Sequence, residues 1–303
     1  MNNRKLLVLV GPTAVGKTAV ALRLAAHFQT EIISADSRQV YKELEIGTAK
    51  PSKEELIRIK HHFIGCRTVA GNFDAGTYGL EARKVIDHLF QSYAEVILCG
   101  GSGLYVKAIL EGFDDLPAIP TEMRIGIIAE YERMGLEWLK EEVRSHDPDY
   151  FEVVDRQNPQ RLMRALEIIR STGLPYSGFR KKENVDLPFG VVKIGLTLER
   201  DELYRRIDHR VDEMIARGLF EEAESLFSHR HLNALQTVGY QEIFGLMEGS
   251  YDREEAIRLI KQNTRRYAKR QLTWFKKDNE IRWFSPEDWE GILAASQSTG
   301  ITT

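Results

Sequence analysis

The sequence has few of the residues that staple small proteins, bind structural metals or cross membranes. Its two cysteines, Cys66 and Cys99, are far apart and belong to no CxxC or mixed Cys/His set. A disulfide framework and a zinc site are therefore not indicated, and we expect a reducing, cytoplasmic compartment. The apolar run Lys5–Val10 has only six residues before Gly11, which is too short for a signal peptide or a membrane span. We expect a soluble protein that does not bind membranes.

The sequence also lacks a strong excess of either charge. The net charge of −3 argues against a surface covered by nucleic acid, but it leaves room for a local basic patch. Residues 256–277 contain eight Lys or Arg, no Asp or Glu, and the aromatic residues Tyr267, Trp274 and Phe275. This composition suits contacts with RNA phosphates. It suits a solvated helix face equally well, so both interpretations stay open.

The first hundred residues alternate between strand and helix patterns. We predict strands at 6–10, 31–35 and 95–99 and helices at 16–28 and 78–90. This order predicts a parallel sheet with right-handed crossovers, flanked by helices. The carboxyl ends of such strands meet at one edge, so we expect Gly11, Asp36 and Gly100 to line one cleft. The predicted class is α/β, with a P-loop NTPase-like sheet.

Between about residues 116 and 190 the sequence has helical patterns and no clear strand pattern. We predict an inserted all-helical subdomain there, with residues 1–115 and 191–303 forming the α/β core. Within the insertion, Asn158-Pro159 has the pattern of a helix start, with a capping side chain followed by proline at the first helical position. The chain should return to the sheet at 191–196, and further helices are predicted at 201–227, 234–248 and 253–276.

The strongest motif follows the first predicted strand and opens the first predicted helix. It fits G-x-x-x-x-G-K-[ST], a loop whose backbone N–H groups surround phosphate oxygens, and it comprises Gly11, Pro12, Thr13, Ala14, Val15, Gly16, Lys17 and Thr18. Lys17 can neutralise phosphate charge and the Thr18 hydroxyl can bind Mg²⁺. A bare strand-to-helix turn would explain the glycines but not Lys17 and Thr18. The sequence predicts a diphosphate-binding site.

Two other strand ends carry candidate site residues. Asp36 could act as a general base, lie near a bound Mg²⁺, or cap a helix. The strand at 95–99 ends in Gly100-Gly101-Ser102-Gly103 rather than in the metal-binding Asp of many P-loop ATPases. This turn could admit a second molecule and offer it the Ser102 hydroxyl, or it could be a simple turn.

Several motifs together resemble the tRNA dimethylallyltransferase, or tRNA isopentenyltransferase, family. They are GPTAVGKT, SADSRQVYKELEIGTAKP, GGSGLYVKAILEG, NPQRLMRALEI, HRVDEM and LQTVGYQE. The resemblance covers about residues 5–285 and indicates the bacterial form, because the zinc finger of eukaryotic relatives has no counterpart here. It implies transfer of a dimethylallyl group from dimethylallyl diphosphate to N6 of adenosine 37 in tRNA, with Mg²⁺ and without consumption of ATP.

The resemblance also implies roles for individual residues. The P-loop and Arg210 would hold the diphosphate, Asp36 would be the general base, and Ser102 would contact the target nucleotide. The implied tRNA contacts are Ser37, Arg38, Gln39, Gln160, Arg161, Leu162, Met163, Arg164, Gln236, Gly239, Tyr240 and Gln241. We expect a monomer. The target base, stacked in the anticodon loop, would have to flip into a pocket.

Two other functions fit the residues without the resemblance. A P-loop kinase could use Asp36 to bind an acceptor hydroxyl and the helical insertion as a lid. A non-catalytic RNA-binding module could use the loop only to seat a phosphate. Rapid ATP or GTP turnover favours the kinase, and tight tRNA binding without product favours the module.

Overall fold

The computed structural model describes residues 4–71, 73–113, 116–117, 119–180 and 186–298. The chain divides into two compact units. One unit comprises Glu111–Asn184, and the other, which we call the core unit, comprises the remainder of the chain.

The core unit is built on a parallel sheet, as the sequence predicts. The part of the chain that the structure describes contains the strands β1 Lys5–Val10, β2 Ile32–Ser34, β3 His61–His62, β4 Glu95–Gly100, β5 Gly190–Leu196 and β6 Arg282–Phe284. Their order across the sheet is β3-β2-β4-β1-β5-β6, and every neighbouring pair is parallel. The strand with the phosphate-binding motif, β1, lies between β4 and β5.

Alternate residues of β1 face two separate cores. Leu6, Val8 and Val10 belong to one buried cluster, and Leu7 and Leu9 belong to the other. Side chains of a strand alternate between the two faces of a sheet, and a parallel sheet is covered by helices on both. This burial explains why β1 has a continuous apolar run instead of an alternating pattern.

The helices of the core unit cover the sheet. They are α1 Lys17–Phe28, α2 Lys53–Arg58, α3 Ala75–Leu89, α4 Gly103–Leu110, α8 Arg200–Ala216, α9 Leu219–Ser225, α10 Tyr240–Met247, α11 Arg253–Phe275 and α12 Trp289–Gln297. The helix predicted at 201–227 is wrong in extent, because Gly218 adopts φ +101° between α8 and α9. The helix predicted at 234–248 is also wrong, because a 3₁₀ turn at Asn233–Leu235 precedes α10.

The described residues of the second unit contain helices and loops but no strand. It contains α5 Thr121–His146, α6 Pro148–Val153 and α7 Pro159–Thr172 around its own apolar core. The Asn158 side chain accepts a hydrogen bond from the Arg161 N–H, which confirms the predicted helix start. A non-helical backbone at Gly135, with φ +80°, kinks α5. None of the helices within the described residues is long and apolar enough to cross a membrane.

Candidate active site

Three strands of the core unit end at one edge of the sheet, and each leads into a candidate site segment. β1 leads into the P-loop, β2 into Asp36, and β4 into the turn Gly100–Gly103. The last two segments touch, because the Ser102 N–H donates to the Ala35 carbonyl at 3.1 Å. A Cβ atom on Gly100 would lie 2.1 Å from the Ala35 oxygen, so only glycine fits where the two segments cross.

The P-loop closes around the Lys17 side chain. Gly16 adopts φ +105° at the start of α1, a conformation that glycine reaches without strain. The Lys17 ammonium donates to the carbonyls of Gly11 and Pro12, at 2.9 and 2.7 Å. Burial is the main cause that lowers the pKa of Lys17 to about 8; Cys99 and Asp36 oppose this shift, and Arg210 adds to it. Lys17 therefore sits in an environment that disfavours its charge, and a bound anion would restore it.

Arg210 supplies a second cation to the same space from α8. Its guanidinium lies at the cavity wall and makes no hydrogen bond or ion pair with any residue that the structure describes. Burial lowers the pKa of Arg210. An arginine without a carboxylate partner beside a P-loop is suited to hold a phosphate group.

Asp36 uses its two carboxylate oxygens differently. Oδ1 accepts hydrogen bonds from the N–H groups of Arg38 and Gln39, at 2.9 and 3.2 Å. Oδ2 has no hydrogen-bond partner within the described part of the chain, and Asp36 lines a cavity together with Lys17 and Arg210. The first pair of bonds is of the kind that a capping residue makes, although a turn and not a helix follows Asp36. Oδ2 is therefore available to a bound group.

The Ser102 hydroxyl fixes the segment that follows Asp36. Its Oγ accepts a hydrogen bond from the Ser37 N–H at 2.9 Å and lies 3.2 Å from the Ser37 Oγ. Ser102 therefore ties the glycine-rich turn to the segment that carries Asp36.

Two adjoining cavities open at this edge of the sheet. The donor cavity, as we call it, has a volume of about 360 Å³ and is lined by Thr13, Lys17, Thr18, Asp36 and Arg210. Its remaining wall is mixed, and its apolar side chains include Ile207, Val211, Met214, Leu219, Val238 and Ile260. It therefore combines a site for a charged group with a site for a hydrocarbon group.

The acceptor cavity lies beside it and has a volume of about 390 Å³. Ser37 and Ser102 line it together with the aromatic side chains Tyr41, Phe73, Tyr105, Tyr267 and Trp274. The two cavities share three residues in their walls: Arg38, Tyr267 and Gln271. Burial, followed by the charge of Asp36, raises the pKa of Tyr267 to about 12, which keeps its hydroxyl protonated at neutral pH.

Comparison with known proteins assigns the family. The family described as IPP transferase matches residues 39–278. The chain is 48% identical over 299 residues to tRNA dimethylallyltransferase 1 of Bacteroides fragilis, covering 99% of both chains, and 50% identical over 284 residues to tRNA dimethylallyltransferase of Cytophaga hutchinsonii, covering 94% and 93%. The chain belongs to the tRNA dimethylallyltransferase family.

Solved structures of dimethylallyltransferases have the same fold. The tRNA isopentenylpyrophosphate transferase of Bacillus halodurans matches with a TM-score of 0.70 and 36% identity, over 97% of this chain and 94% of that one. A eukaryotic dimethylallyltransferase acting on tRNA matches with a TM-score of 0.76 and 25% identity, over 95% and 75%. The predicted P-loop-like α/β class and the predicted family are both confirmed.

Not every tRNA contact that the dimethylallyltransferase resemblance implied is accessible. Tyr240 is fully buried, packs against Gly47 and donates a hydrogen bond to Glu222 at 2.6 Å, and Gly239 beside it is buried too. Leu162 and Met163 are buried in the core of the helical unit. All four residues are buried within the protein, and their contact with RNA stays a prediction.

The other predicted contacts stay accessible. Gln236 and Gln241 are exposed and bonded to each other, and Arg38 reaches the Gln236 carbonyl at 3.4 Å. In the helical unit, Gln160 and Arg161 are exposed at the start of α7. Gln39 is different: its amide donates to the carbonyls at positions 48 and 49 and so holds a loop of the donor cavity.

Arg164 is committed to a protein contact. It forms an ion pair of 2.9 Å with Glu167, whose side chain is only 4% exposed.

The cations of the basic stretch on α11 fall into two groups. Three of its cations pair with carboxylates, namely Arg258, Lys261 and Arg265, whereas Arg266, Lys269 and Arg270 are exposed and form no such pair with described residues. Part of the basic stretch is therefore used in ion pairs within the protein.

Sequence reasoning did not find Gln271 or the roles of Tyr267 and Glu222. Gln271 and Tyr267 lie on α11, more than 200 residues from the P-loop, and no local motif marks them. Glu222 accepts hydrogen bonds from three consecutive N–H groups, at Glu45, Ile46 and Gly47. The three donors begin a loop whose next residues, Thr48 and Ala49, line the donor cavity.

Proposed function

We propose that the protein transfers the dimethylallyl group of dimethylallyl diphosphate to N6 of adenosine 37 in tRNA, forming N6-dimethylallyladenosine and releasing diphosphate. The observation that carries this proposal is the pair of adjoining cavities with a shared wall. One has phosphate-binding cations and apolar side chains, which suit a prenyl diphosphate. The other has aromatic side chains and hydroxyls, which suit a flipped base. The family of the chain supports the same reaction.

The donor would be held at its diphosphate end. The P-loop N–H groups, Lys17 and Arg210 would bind the phosphate oxygens and stabilise the charge that develops as diphosphate leaves. The Thr18 hydroxyl has no hydrogen-bond partner among the described residues and lines the cavity, so it fits a Mg²⁺ ion that takes its other ligands from phosphate and water. Such an ion would neutralise charge on the leaving group. The described residues contain no cluster of three carboxylate, His or Cys ligands.

Asp36 is the proposed general base. Adenine N6 is a weak nucleophile because its lone pair is delocalised into the ring. The N6–C1 bond forms as the C1–O bond breaks, the electron pair of that bond leaves with diphosphate, and the proton lost from N6 passes to Oδ2 of Asp36. Oδ1 stays bonded to the backbone and keeps the carboxylate oriented. General-base catalysis of this kind contributes about 10²–10⁴-fold.

The acceptor would be adenosine 37, flipped out of the anticodon loop. Unpaired loop bases can be unstacked and placed between aromatic side chains, which suits the acceptor cavity. We assign the remaining RNA contacts to Ser37, Arg38, Gln160 and Arg161, to the exposed glutamines Gln236 and Gln241, and to Arg266, Lys269 and Arg270, whereas Arg164 is assigned to its ion pair with Glu167. The protein is proposed to act as a monomer in the cytoplasm.

The experiment that tests this function is a product assay. The protein is incubated with unmodified tRNA, dimethylallyl diphosphate and Mg²⁺, and the tRNA is digested to nucleosides and analysed by mass spectrometry. We expect N6-dimethylallyladenosine and an equal amount of released diphosphate. Parallel samples with ATP or GTP should give no turnover. Tight tRNA binding without the product would indicate a binding module, and rapid ATP hydrolysis would indicate a kinase.

A further inference from the structure

Gln271 joins two segments of the core unit that are far apart in the sequence. Its side chain is buried on α11, with 6% of its surface exposed. Oε1 accepts a hydrogen bond from the Thr13 N–H of the P-loop at 2.8 Å, and Nε2 donates to the Gly101 carbonyl at 2.9 Å. One partner is a donor and the other is an acceptor, so this bridge requires an amide and its orientation is fixed.

The two segments that Gln271 joins carry different parts of the proposed site. Thr13 belongs to the loop that would hold the diphosphate of the donor. Gly101 precedes Ser102, whose hydroxyl accepts from the Ser37 N–H and so holds the segment after Asp36. A chain of three contacts therefore runs from the donor loop, through Gln271 and the glycine-rich turn, to the segment that carries the proposed base.

The position of Gln271 matches this connection. It is one of the three residues that line both the donor cavity and the acceptor cavity. The Thr13 N–H donates its hydrogen bond to Gln271 Oε1, and this bond holds the P-loop against α11. A Cβ atom on Gly101 would lie 2.2 Å from Gln271 Nε2, which shows how closely the amide sits against the turn.

We propose that Gln271 is a positioning residue that sets the distance between the donor loop and the segment carrying Asp36, so that C1 of the donor, N6 of the acceptor and the base are aligned. The proposal rests on the prenyl transfer proposed above. In this proposal Gln271 acts through the two backbone segments that it bridges and not through contact with a substrate. Its effect belongs to the alignment of reacting atoms, where a displacement of about 1 Å can lower the rate about 10²-fold.

The first test compares Gln271→Met with wild type in single-turnover transfer to tRNA. Methionine has a similar length but cannot make either hydrogen bond. We expect the rate constant to fall about 10- to 100-fold, while the Kd values for inorganic diphosphate and for tRNA change less than about threefold. Gln262→Met is the matched control, because Gln262 lies nine residues earlier on α11, about two and a half turns away and so on the opposite side of the helix.

A second variant gives a readout that a purely structural residue would not change. Gln271→Glu keeps an acceptor for the Thr13 N–H but places a carboxylate oxygen against the Gly101 carbonyl. Protonation restores a donor at that oxygen. We therefore expect the ratio of variant to wild-type rate to rise as the pH is lowered from about 8 to about 6. A ratio that does not change with pH contradicts the proposal.

Gly101→Ala disturbs the same contact from the other side and serves if Gln271→Met does not fold. We expect it to lower the transfer rate, and the double variant Gln271→Met/Gly101→Ala to be no slower than the slower single variant, because both remove one connection. The proposal is overturned if either single variant lowers the melting temperature but leaves the rate unchanged, or if Gln271→Met abolishes diphosphate binding. If wild type itself forms no prenylated tRNA, the proposed function fails first, and the two failures are thereby distinguished.

Discussion

Asp36 is the residue whose proposed role has the largest consequence for the rate. Asp36→Asn keeps the shape of the side chain and its bonds to the backbone, but the amide cannot accept the N6 proton. We expect kcat to fall by about two to four decades, with little change in either substrate affinity because the loss belongs to the transition state. The melting temperature should also change little, since Asn and Asp accept backbone N–H groups about equally well.

The same variant separates the alternatives for Asp36. If Asp36 lies near a bound metal, high Mg²⁺ should partly restore activity and diphosphate binding should be weaker. If it only orders the turn, turnover should stay near normal. Measurement of kcat, both affinities and the melting temperature on Asp36→Asn distinguishes the three roles, and a kcat close to wild type contradicts the base.

Lys17 gives a pH dependence whose direction follows from its environment. Its pKa in the folded protein is about 8, below its ordinary value of 10.5. Below about pH 8 the ammonium is present before the ligand binds. As the pH rises through this value, the free protein loses the proton and must take it up again to bind diphosphate, so the affinity should decrease.

The control for this prediction is Lys17→Arg, which keeps its charge throughout. The ratio of wild-type to Lys17→Arg affinity for inorganic diphosphate should fall above about pH 8, and this ratio cancels the titration of diphosphate itself. Isothermal calorimetry at several pH values measures it. A ratio that is constant between about pH 7 and about pH 10 would contradict this prediction.

At the scale of single elements, α7 presents two arginines with different environments. Arg161 is exposed, and its side chain forms no hydrogen bond or ion pair with described residues, whereas Arg164 is paired with the buried Glu167. Arg161→Ala should weaken tRNA binding and reduce its salt dependence by about one phosphate contact without lowering stability. Arg164→Ala should lower the stability of the helical unit, because it removes an ion-pair partner of the buried Glu167. We expect a loss of only about 1 kcal/mol, because Arg164 is partly exposed and Arg124 remains 3.6 Å from Glu167.

The two variants serve as controls for each other. Filter binding at several salt concentrations should detect the loss in Arg161→Ala, and thermal unfolding should detect the loss in Arg164→Ala. If Arg164→Ala weakens tRNA binding and leaves the melting temperature unchanged, its ion pair with Glu167 does not prevent it from contacting RNA, and the structural assignment is wrong.

The loop at residues 45–49 depends on α9 and α10. The Glu222 carboxylate accepts hydrogen bonds from three backbone N–H groups of this loop and from the Tyr240 hydroxyl. Tyr240→Phe removes one of four hydrogen bonds to this carboxylate, so we expect a loss of about 1 kcal/mol of unfolding free energy and unchanged tRNA affinity. Gln241→Ala, next to it and exposed, should leave the melting temperature unchanged. Weaker tRNA binding by Tyr240→Phe at normal stability would argue for an RNA contact.

The elements that the sequence predicted correctly are those with local signals. The P-loop, its flanking strand and helix, and the start of α7 at Asn158-Pro159 each depend on residues that are adjacent in the chain. Two helices predicted after residue 200 were too long, because helical periodicity continues across Gly218 and across the 3₁₀ turn before α10, whereas the helix predicted at 253–276 matches α11. Leu162, Met163 and Tyr240 were assigned to RNA only through the family resemblance, whereas their burial depends on packing within each folded unit.

At the scale of the whole molecule, the site depends on contacts between distant parts of the chain. The parallel sheet brings Gly11, Asp36 and Gly100 to one edge, as the strand order predicts. The contribution of α11 follows only from the folded chain, because Gln271 lies 258 residues from Thr13 and 170 from Gly101. No periodicity or spacing in the sequence reports such a contact.

The central claim is that one chain brings a prenyl diphosphate and one tRNA base together for direct transfer. It is tested most directly by locating the product within the tRNA. Wild type is incubated with dimethylallyl diphosphate and either an unmodified tRNA with adenosine at position 37 or the same tRNA with guanosine there, and oligonucleotide fragments are mapped by mass spectrometry. We predict one dimethylallyl group per tRNA, at adenosine 37, and none in the guanosine tRNA. Diphosphate release without prenylated tRNA, or modification spread over other adenosines, would contradict the account.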